Sequence, residues 1–424
     1  MTVSADPILF EVSEMQKETQ ELLGLIKDSL RGGSGPYDAN ETIDYELVYR
    51  IAARNSVANT VADLISSGKG IPDTIKNAFI QQKSISIAHQ VLCDRALNEL
   101  YDKLDDTHIR GVFLKGSVLK NIYPNPILRS MSDIDVYAEE DDMEHILLLM
   151  KNMNYAPGVI GQGNHYEYLR DRFVKIEFHP ELVSMGSDYG RTVFHKLHPE
   201  ASTISSNMDI WSHTIPIDNH KYARQLVPEY HYLYVIMHMF AHFLSAGTGI
   251  RSVMDVWIMN HYYCDSWDRR AIDALLSDYG LRTFEKYALA LADKWFDLSD
   301  ILDCSIDIDQ ERLLHFEDYI LNSGTYGTIK NSIHRQLGFS TSVTSKGRYI
   351  LSRFFLPYRD MKGLYPCLTK MPMLLPVMWV HHAFDGIINR RKVIITKIKT
   401  VAKTNSNNID RQRKLIEFMV DSKE

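Results

Sequence analysis

The first quarter of the chain repeats apolar residues at helical spacing. A helix is predicted over residues 8–30, which end at the breaker RGGSGP, and two more over 41–67 and 72–104. The first has its apolar positions at Phe10, Met15, Leu22, Leu23, Ile26 and Leu30. We therefore expect an N-terminal helical region over residues 1–110.

The pattern changes at residue 111. The apolar run GVFL stops at a glycine, as buried strands do, and DIDVYA alternates like a second strand. HYEYLR and FVKIEFH alternate as the two arms of a hairpin would. These segments predict a small mixed sheet within a module spanning 111–200.

Helical spacing returns at about residue 225 and continues to the end. We expect a helical region over 201–330 and a C-terminal helical segment with a basic tail over 331–424. The predicted fold class is α+β, with a small mixed-sheet module embedded in a largely helical chain.

Composition narrows the class of protein. The 424 residues include 47 Lys and Arg against 54 Asp and Glu, so the net charge of -7 does not indicate a dedicated nucleic-acid coat protein. The cysteines are far apart and form no CxxC pair, which argues against a disulfide framework or a zinc knuckle and favours a reducing cytoplasm. They are Cys93, Cys264, Cys304 and Cys367.

The apolar stretch MPMLLPVMWV, residues 371–380, is too short to span a bilayer, which takes roughly 18 residues. The basic run that follows it would suit an interfacial anchor. Packing of proline-broken helices onto the core is the ordinary explanation, so we expect no transmembrane segment and no peripheral membrane contact.

Two carboxylates define the candidate chemistry. Asp133 and Asp135 lie two residues apart on a predicted strand, so they share one face and repel each other unless a positive charge lies between them. Such a pair can hold hard divalent cations. Glu177 on a later strand could add a third carboxylate, or could be a cross-strand ion-pair partner.

A turn upstream of this pair suits an anion. Lys115, Gly116 and Ser117 join a strand to a helix, which exposes backbone N–H groups at a helix N-terminus. Lys115 could instead be a surface lysine near an acid. Arg129 could pair with Asp133 across a loop.

The stretch FLKGSVLKNIYPNPILRSMSDIDVYA, residues 113–138, resembles the signature of the nucleotidyltransferase superfamily typified by DNA polymerase β. More narrowly, it is similar to a bacterial family of uncharacterised nucleotidyltransferases. The likeness extends to 247–258 and 365–380, and so over roughly residues 85 to 390. The matching positions are Lys115, Gly116, Tyr123, Pro124, Arg129, Asp133 and Asp135.

The resemblance implies a reaction and a set of roles. An NMP would pass from an NTP to a hydroxyl-bearing acceptor, with release of pyrophosphate. Asp133 and Asp135 would bind two Mg²⁺ or Mn²⁺ ions, and Glu177 would complete one metal site or act as general base. Ser117 would hold the β- and γ-phosphates. The other nucleotide-binding candidates are Lys115, Gly116, Lys120, Arg129 and Arg251.

Two further groups allow more than one interpretation. Arg251 and Asp255 are four residues apart, so they could form a local ion pair, or Arg251 could face the active-site cleft. His231, His238 and His242 could form a metal site. They lack the glutamate of a zincin motif, which favours core or polar-network histidines.

The acceptor stays open at this point. A small molecule or a sugar is favoured, and the helical region 201–330 would form the acceptor side of the cleft. A toxin-like enzyme that acts on tRNA or protein is an alternative. The net charge of -7 argues mildly against tRNA as the acceptor. A catalytically silent protein that binds nucleotide or a partner is the alternative from another class.

Overall fold

A computed structural model describes the protein over most of its length. The N-terminal region holds four helices, α1 Gln16–Leu30, α2 Tyr45–Arg54, α3 Ala58–Ser67 and α4 Asp73–Thr107. The described residues are 16–33, 35, 37–158, 165–171, 173–182, 209–245, 247–298, 308–325, 327–339, 347, 350–351, 354–389, 391–404 and 406–420.

The predicted helix over 41–67 is two helices. Asp44 caps α2 by accepting hydrogen bonds from the backbone N–H groups of Glu46 and Leu47. Ser56 has a positive φ of 53°, which ends the helical path before α3 begins. The helix predicted over 72–104 is confirmed as α4, whereas residues 8–15 of the first predicted helix lie outside the described part.

A seven-stranded sheet follows, in the order β3-β4-β5-β2-β1-β7-β6. Its centre is mixed, since β1 pairs antiparallel with β2 and parallel with β7, and β2 pairs parallel with β5. The β4–β5 hairpin confirms the predicted one. The strands are β1 Gly111–Leu114, β2 Ile134–Tyr137, β3 Ala156–Pro157, β4 Tyr166–Arg170, β5 Val174–His179, β6 Thr214–Pro216 and β7 Ala223–Leu226.

Two of these strands lie after residue 200, so the sheet extends past the end predicted for the module. Helices α5 Gly116–Leu119 and α6 Met143–Asn152 interrupt the strands. The later helices are α7 Pro228–Ser245, α8 Ile250–Tyr263, α9 Arg269–Asp278, α10 Arg282–Phe296, α11 Gln310–Ser323, α12 Ile329–Phe339, α13 Tyr358–Leu364, α14 Cys367–Lys370, α15 Leu375–Asn389, α16 Arg391–Lys403 and α17 Ser406–Val420. The predicted class, α+β in a largely helical chain, is confirmed.

The two faces of the sheet contact different parts of the molecule. One face packs with α4 and α6 in a core that includes Phe113, Val136 and Phe178. Leu114 and Tyr137 on the other face belong to the large core of the helical body. Strand alternation therefore directs every second residue of β2 and β5 towards the helices after residue 228. Among the described helices, none is long and apolar enough to cross a membrane.

Candidate active site

Two carboxylates stand side by side on the sheet face that points to the helical body. Asp135 in β2 is paired in register with Glu177 in the parallel strand β5. Ile134, Val136 and Ile176 point to the opposite face and are fully buried. Asp135 itself is only 2% exposed. The predicted third carboxylate on a neighbouring strand is therefore next to the Asp pair.

Basic side chains of β5 and of the turn after β1 contact these acids. Lys115 Nζ lies 2.7 Å from Asp135 Oδ1, and His179 Nε2 lies 2.9 Å from the same oxygen. Lys175 Nζ bridges Glu177 Oε1 at 2.5 Å and Asp133 Oδ2 at 3.2 Å. The chain thus supplies part of the positive charge that the repelling carboxylates require.

These contacts shift the ionisation of the buried groups. Burial would raise the pKa of Asp135, but Lys115 and His179 together hold it well below its usual range. Burial would lower the pKa of Lys115, yet the carboxylate of Asp135 raises it above its ordinary value. Burial likewise opposes the charge of Lys175, and Glu177 and Asp133 raise its pKa. Asp135, Lys115 and Lys175 are therefore charged at neutral pH.

The turn before α5 is strained at one residue and crowded at the next. Lys115 has φ 52° and ψ −129°, a conformation that side chains avoid and that costs of order 1–3 kcal/mol. A Cβ on Gly116 would lie 2.6 Å from Met131 Cγ. Ser117 Oγ donates a hydrogen bond to Leu114 O at 2.6 Å, so its hydroxyl is engaged with the end of β1.

Two residues predicted to bind phosphate have protein partners in the structure, and their role towards nucleotide stays a prediction. Lys120 forms an ion pair with Asp94 of α4 and is buried. Arg129 forms a bidentate ion pair with Asp255 of α8, with Nε 2.7 Å from Oδ1 and Nη2 2.9 Å from Oδ2. Arg129 therefore pairs with Asp255 and not with Asp133, which was the alternative. Arg129 still lines the cavity described next, whereas Lys120 and Ser117 are not among its described lining residues.

A cavity of about 400 Å³ separates the acid cluster from the helical body. Lys115, Asp133, Asp135 and Glu177 line it from the sheet. Across from them are Tyr234, His238 and His242 of α7 and Thr248, Arg251 and Ser252 at the start of α8. The prediction that Arg251 faces the cleft agrees with this position, and its Nη1 lies 3.3 Å from Ser130 O.

The histidines of α7 divide into two kinds. His238 Nε2 and His242 Nε2 are 3.1 Å apart, and both rings line the cavity. Burial, with Lys115 next in effect, lowers the pKa of His242 to about 4 and that of His238 well below its usual value. Both rings are therefore neutral near pH 7. His231 is buried, and among the described residues no possible metal-binding group of three contains any of these histidines.

Sequence reasoning missed Lys175 as a site residue and did not place His238 and His242 in the cleft. Lys175, Glu177 and His179 alternate along β5, so the period-two pattern that paired the aspartates would have put all three on one face. Tyr234 precedes His238 by four residues, and that spacing is the corresponding signal on α7.

The donor set fits a divalent cation. One ligand atom each from Asp135, Glu177 and His179 lies within 4.8 Å of the others. The single ammonium of Lys175 contacts both Asp133 and Glu177, so these two carboxylates come within reach of one cation. Carboxylate oxygens suit Mg²⁺ and Mn²⁺, and an imidazole nitrogen is better tolerated by Mn²⁺.

The model of a protein family described as an uncharacterised nucleotidyltransferase matches residues 41–297, more than half of the chain. As a class, the protein is a transferase of nucleotidyl groups. The chain belongs to this family of uncharacterised nucleotidyltransferases, which confirms the family that the motif indicated. No curated protein and no solved structure matches the chain. The bacterial source, the superfamily and the likeness in 365–380 stay predictions.

Proposed function

We propose that the protein is a divalent-metal-dependent enzyme that transfers an NMP from an NTP to the hydroxyl of a small molecule or sugar. The observation that carries this proposal is the register of β2 and β5, which brings Asp135 beside Glu177 with Asp133 just ahead of β2. Three carboxylates on one wall of a cavity are what a metal–triphosphate complex requires.

The sheet side of the cavity would take the nucleotide. Asp133, Asp135 and Glu177 would hold Mg²⁺ or Mn²⁺, which supplies neutralisation of the triphosphate charge when bound. Lys115 would contact a phosphate oxygen and remain close to Asp135. The backbone N–H of Gly116 and Arg251 across the cavity are further phosphate partners.

The helical side would take the acceptor. Tyr234, Thr248 and Ser252 offer hydroxyl groups, which suit a polyhydroxylated molecule rather than an apolar one. A cavity of about 400 Å³ favours a small acceptor over a macromolecule. The His238–His242 pair is neutral and its two Nε2 atoms share one hydrogen bond, so the Nδ1 of the donating ring would accept the proton of the acceptor hydroxyl.

The proposed reaction balances within these groups. The acceptor O–H gives its proton to the histidine pair while its oxygen forms a bond to the α-phosphorus. The bond from the α-phosphorus to the bridging oxygen breaks, and that electron pair leaves with pyrophosphate. Lys115 and Arg251 would stabilise the charge that develops on the phosphate oxygens.

The test uses each α-labelled NTP with cell extract and follows the label into products. Wild-type protein with Mg²⁺ should label one class of small molecule, and Asp135→Asn should lower the yield by at least about a hundredfold. An Asp135→Asn variant that labels the product as well as the wild type would overturn the assignment.

The contacts of the lysines favour one competing function. Lys115 and Lys175 already pair with Asp135 and with Asp133 and Glu177, as they would in a catalytically silent nucleotide-binding protein. Such a protein would bind NTP equally well with and without a divalent metal. Metal-dependent binding, measured by calorimetry, separates the two functions.

A further inference from the structure

Helix α15 and the turn before it carry a stripe of large apolar side chains that face solvent. Their exposed fractions range from 57% to 93%, although side chains of these types are usually buried. The stripe consists of Met373 at 93%, Val377 at 61%, Val380 at 57%, Phe384 at 62% and Ile388 at 72%.

The spacing makes this stripe one continuous surface. Val377, Val380, Phe384 and Ile388 are three or four residues apart, so successive turns of α15 present them on the same side. The inner side of α15 is attached to the preceding segment, since Trp379 Nε1 donates a hydrogen bond to Leu356 O at 2.8 Å. The helix is therefore attached by one face and apolar on the other.

Positive charge is concentrated directly after the stripe. Residues 386–403 contain six Lys and Arg residues and no Asp or Glu, in a chain whose net charge is -7. Most of this segment is helix α16, which packs against α15. The exposed side chains of Arg391 and Lys399 lie on it. An apolar stripe followed by a helix whose charged residues are all basic is the composition of segments that lie in the interface of an anionic bilayer.

We propose that α15 and α16 dock on an anionic lipid surface, with the stripe entering the headgroup region and α16 contacting lipid phosphates. A second copy of the chain is a poorer occupant, because two such cationic segments would repel each other when the stripes met. The remainder of the chain is acidic and would be repelled by the same lipids, so the docking would also fix the orientation of the molecule.

The packing onto the core that the sequence predicts for this proline-containing segment holds only in part. Packing of the proline-broken segment onto the core accounts for Leu368, which is fully buried. It does not hold for the stripe, because these side chains face solvent on a helix that is attached by its other face. The proposal is independent of the chemistry in the cavity.

The experiment is vesicle co-sedimentation of the full chain. Wild-type protein should pellet with vesicles of equal phosphatidylcholine and phosphatidylglycerol and remain largely in the supernatant with phosphatidylcholine alone. Phe384→Ser with Ile388→Ser should lower the partition coefficient at least about tenfold. Arg391→Gln with Lys399→Gln should lower it roughly fivefold per charge and weaken its dependence on salt.

The matched control replaces equally exposed apolar residues outside this segment. Phe173 is 64% exposed and Val91 is 62% exposed, and Phe173→Ser with Val91→Ser should bind vesicles like the wild type. Circular dichroism should give one thermal midpoint for all the variants. The proposal fails if the wild type does not pellet with anionic vesicles. It also fails if the stripe variant binds these vesicles as well as the wild type, or if the control variant loses binding as the stripe variant does. It also fails if sedimentation velocity shows a wild-type dimer that the stripe variant dissociates.

Discussion

Arg129 and Asp255 join the loop before β2 to the helical body through a buried bidentate ion pair. The arginine precedes β2 by a few residues, and the aspartate lies in α8, one turn after Arg251. Tyr123 donates a third hydrogen bond to Asp255 Oδ1 at 2.7 Å. The loop that carries Asp133 is thereby fixed relative to the wall that faces it.

Removing the carboxylate of this pair should be costly. Asp255→Asn leaves the buried charge of Arg129 without its counter-ion, and we expect a loss of about 3–5 kcal/mol in the free energy of unfolding. Urea denaturation measures it. Asp106→Asn breaks an exposed ion pair with Lys103, which water and salt screen, and should unfold at nearly the same urea concentration as the wild type. Equal losses in the two variants would contradict a structural role for the Arg129–Asp255 pair.

Gly116 is required for space rather than for an unusual φ. Gly116→Ala would drive a Cβ against Met131, and we expect destabilisation of about 1–3 kcal/mol by thermal denaturation. Gly24→Ala is the control, since that glycine lies in α1 with nothing within 4 Å of the added Cβ. Its helix propensity should raise stability by roughly 0.8–1.0 kcal/mol. A stable Gly116→Ala protein would show that the turn can open.

The histidine pair should make stability depend on pH. Burial lowers the pKa of His242 to about 4 in the folded protein, helped by Lys115 and Arg251 and opposed by Asp135 and Asp133. In the unfolded chain the value is about 6.5. The unfolded state therefore binds more protons between these values, so stability is fully present above about pH 6.5 and is lost as the pH falls towards 4.

His242→Gln should reduce that loss. Between about pH 7 and pH 4.5, the drop in unfolding free energy should be smaller than in the wild type by about 1–3 kcal/mol. His145→Gln, on the exposed side of α6, should leave the drop unchanged. Identical pH profiles for His242→Gln and the wild type would show that His242 is not held neutral.

Lys175 should compete with the metal. Its ammonium contacts the carboxylates of Asp133 and Glu177, so a divalent cation must displace it. Lys175→Met should tighten Mn²⁺ binding by about 1 kcal/mol or more, roughly fivefold, in calorimetry without nucleotide. Lys294→Met, which removes a remote contact with Glu317, is the control. Weaker Mn²⁺ binding by Lys175→Met would place the cation elsewhere.

Local sequence was sufficient for most of the helices, for the central strands and for the pairing of carboxylates on one face. Alternation along β2 and β5 put the carboxylates and the core residues on opposite faces, because strand geometry fixes that relation within each strand. The order of the seven strands could not be predicted from local sequence, since β7 pairs with β1 although more than a hundred residues separate them. Pairing over that distance depends on how the helices pack, which no local pattern encodes.

The partners of Arg129 and Lys120 were hidden for the same reason. Both were expected near phosphate on motif position alone, and their partners Asp255 and Asp94 come from helices distant in sequence. A buried arginine needs a fixed counter-ion, which accounts for the pairing of Arg129 with Asp255. The spacing of residues in the sequence does not predict whether a loop residue is buried.

In the proposed function, Asp133 and Asp135 bind the metal of a metal–nucleotide complex. The most direct measurement titrates each Mg²⁺–NTP complex into wild-type protein and into Asp133→Asn with Asp135→Asn, by calorimetry, on samples with the same circular dichroism spectrum. We expect saturable binding by the wild type that requires Mg²⁺ and is lost in the variant. Equal binding of Mg²⁺–NTP by the two proteins would contradict the assignment.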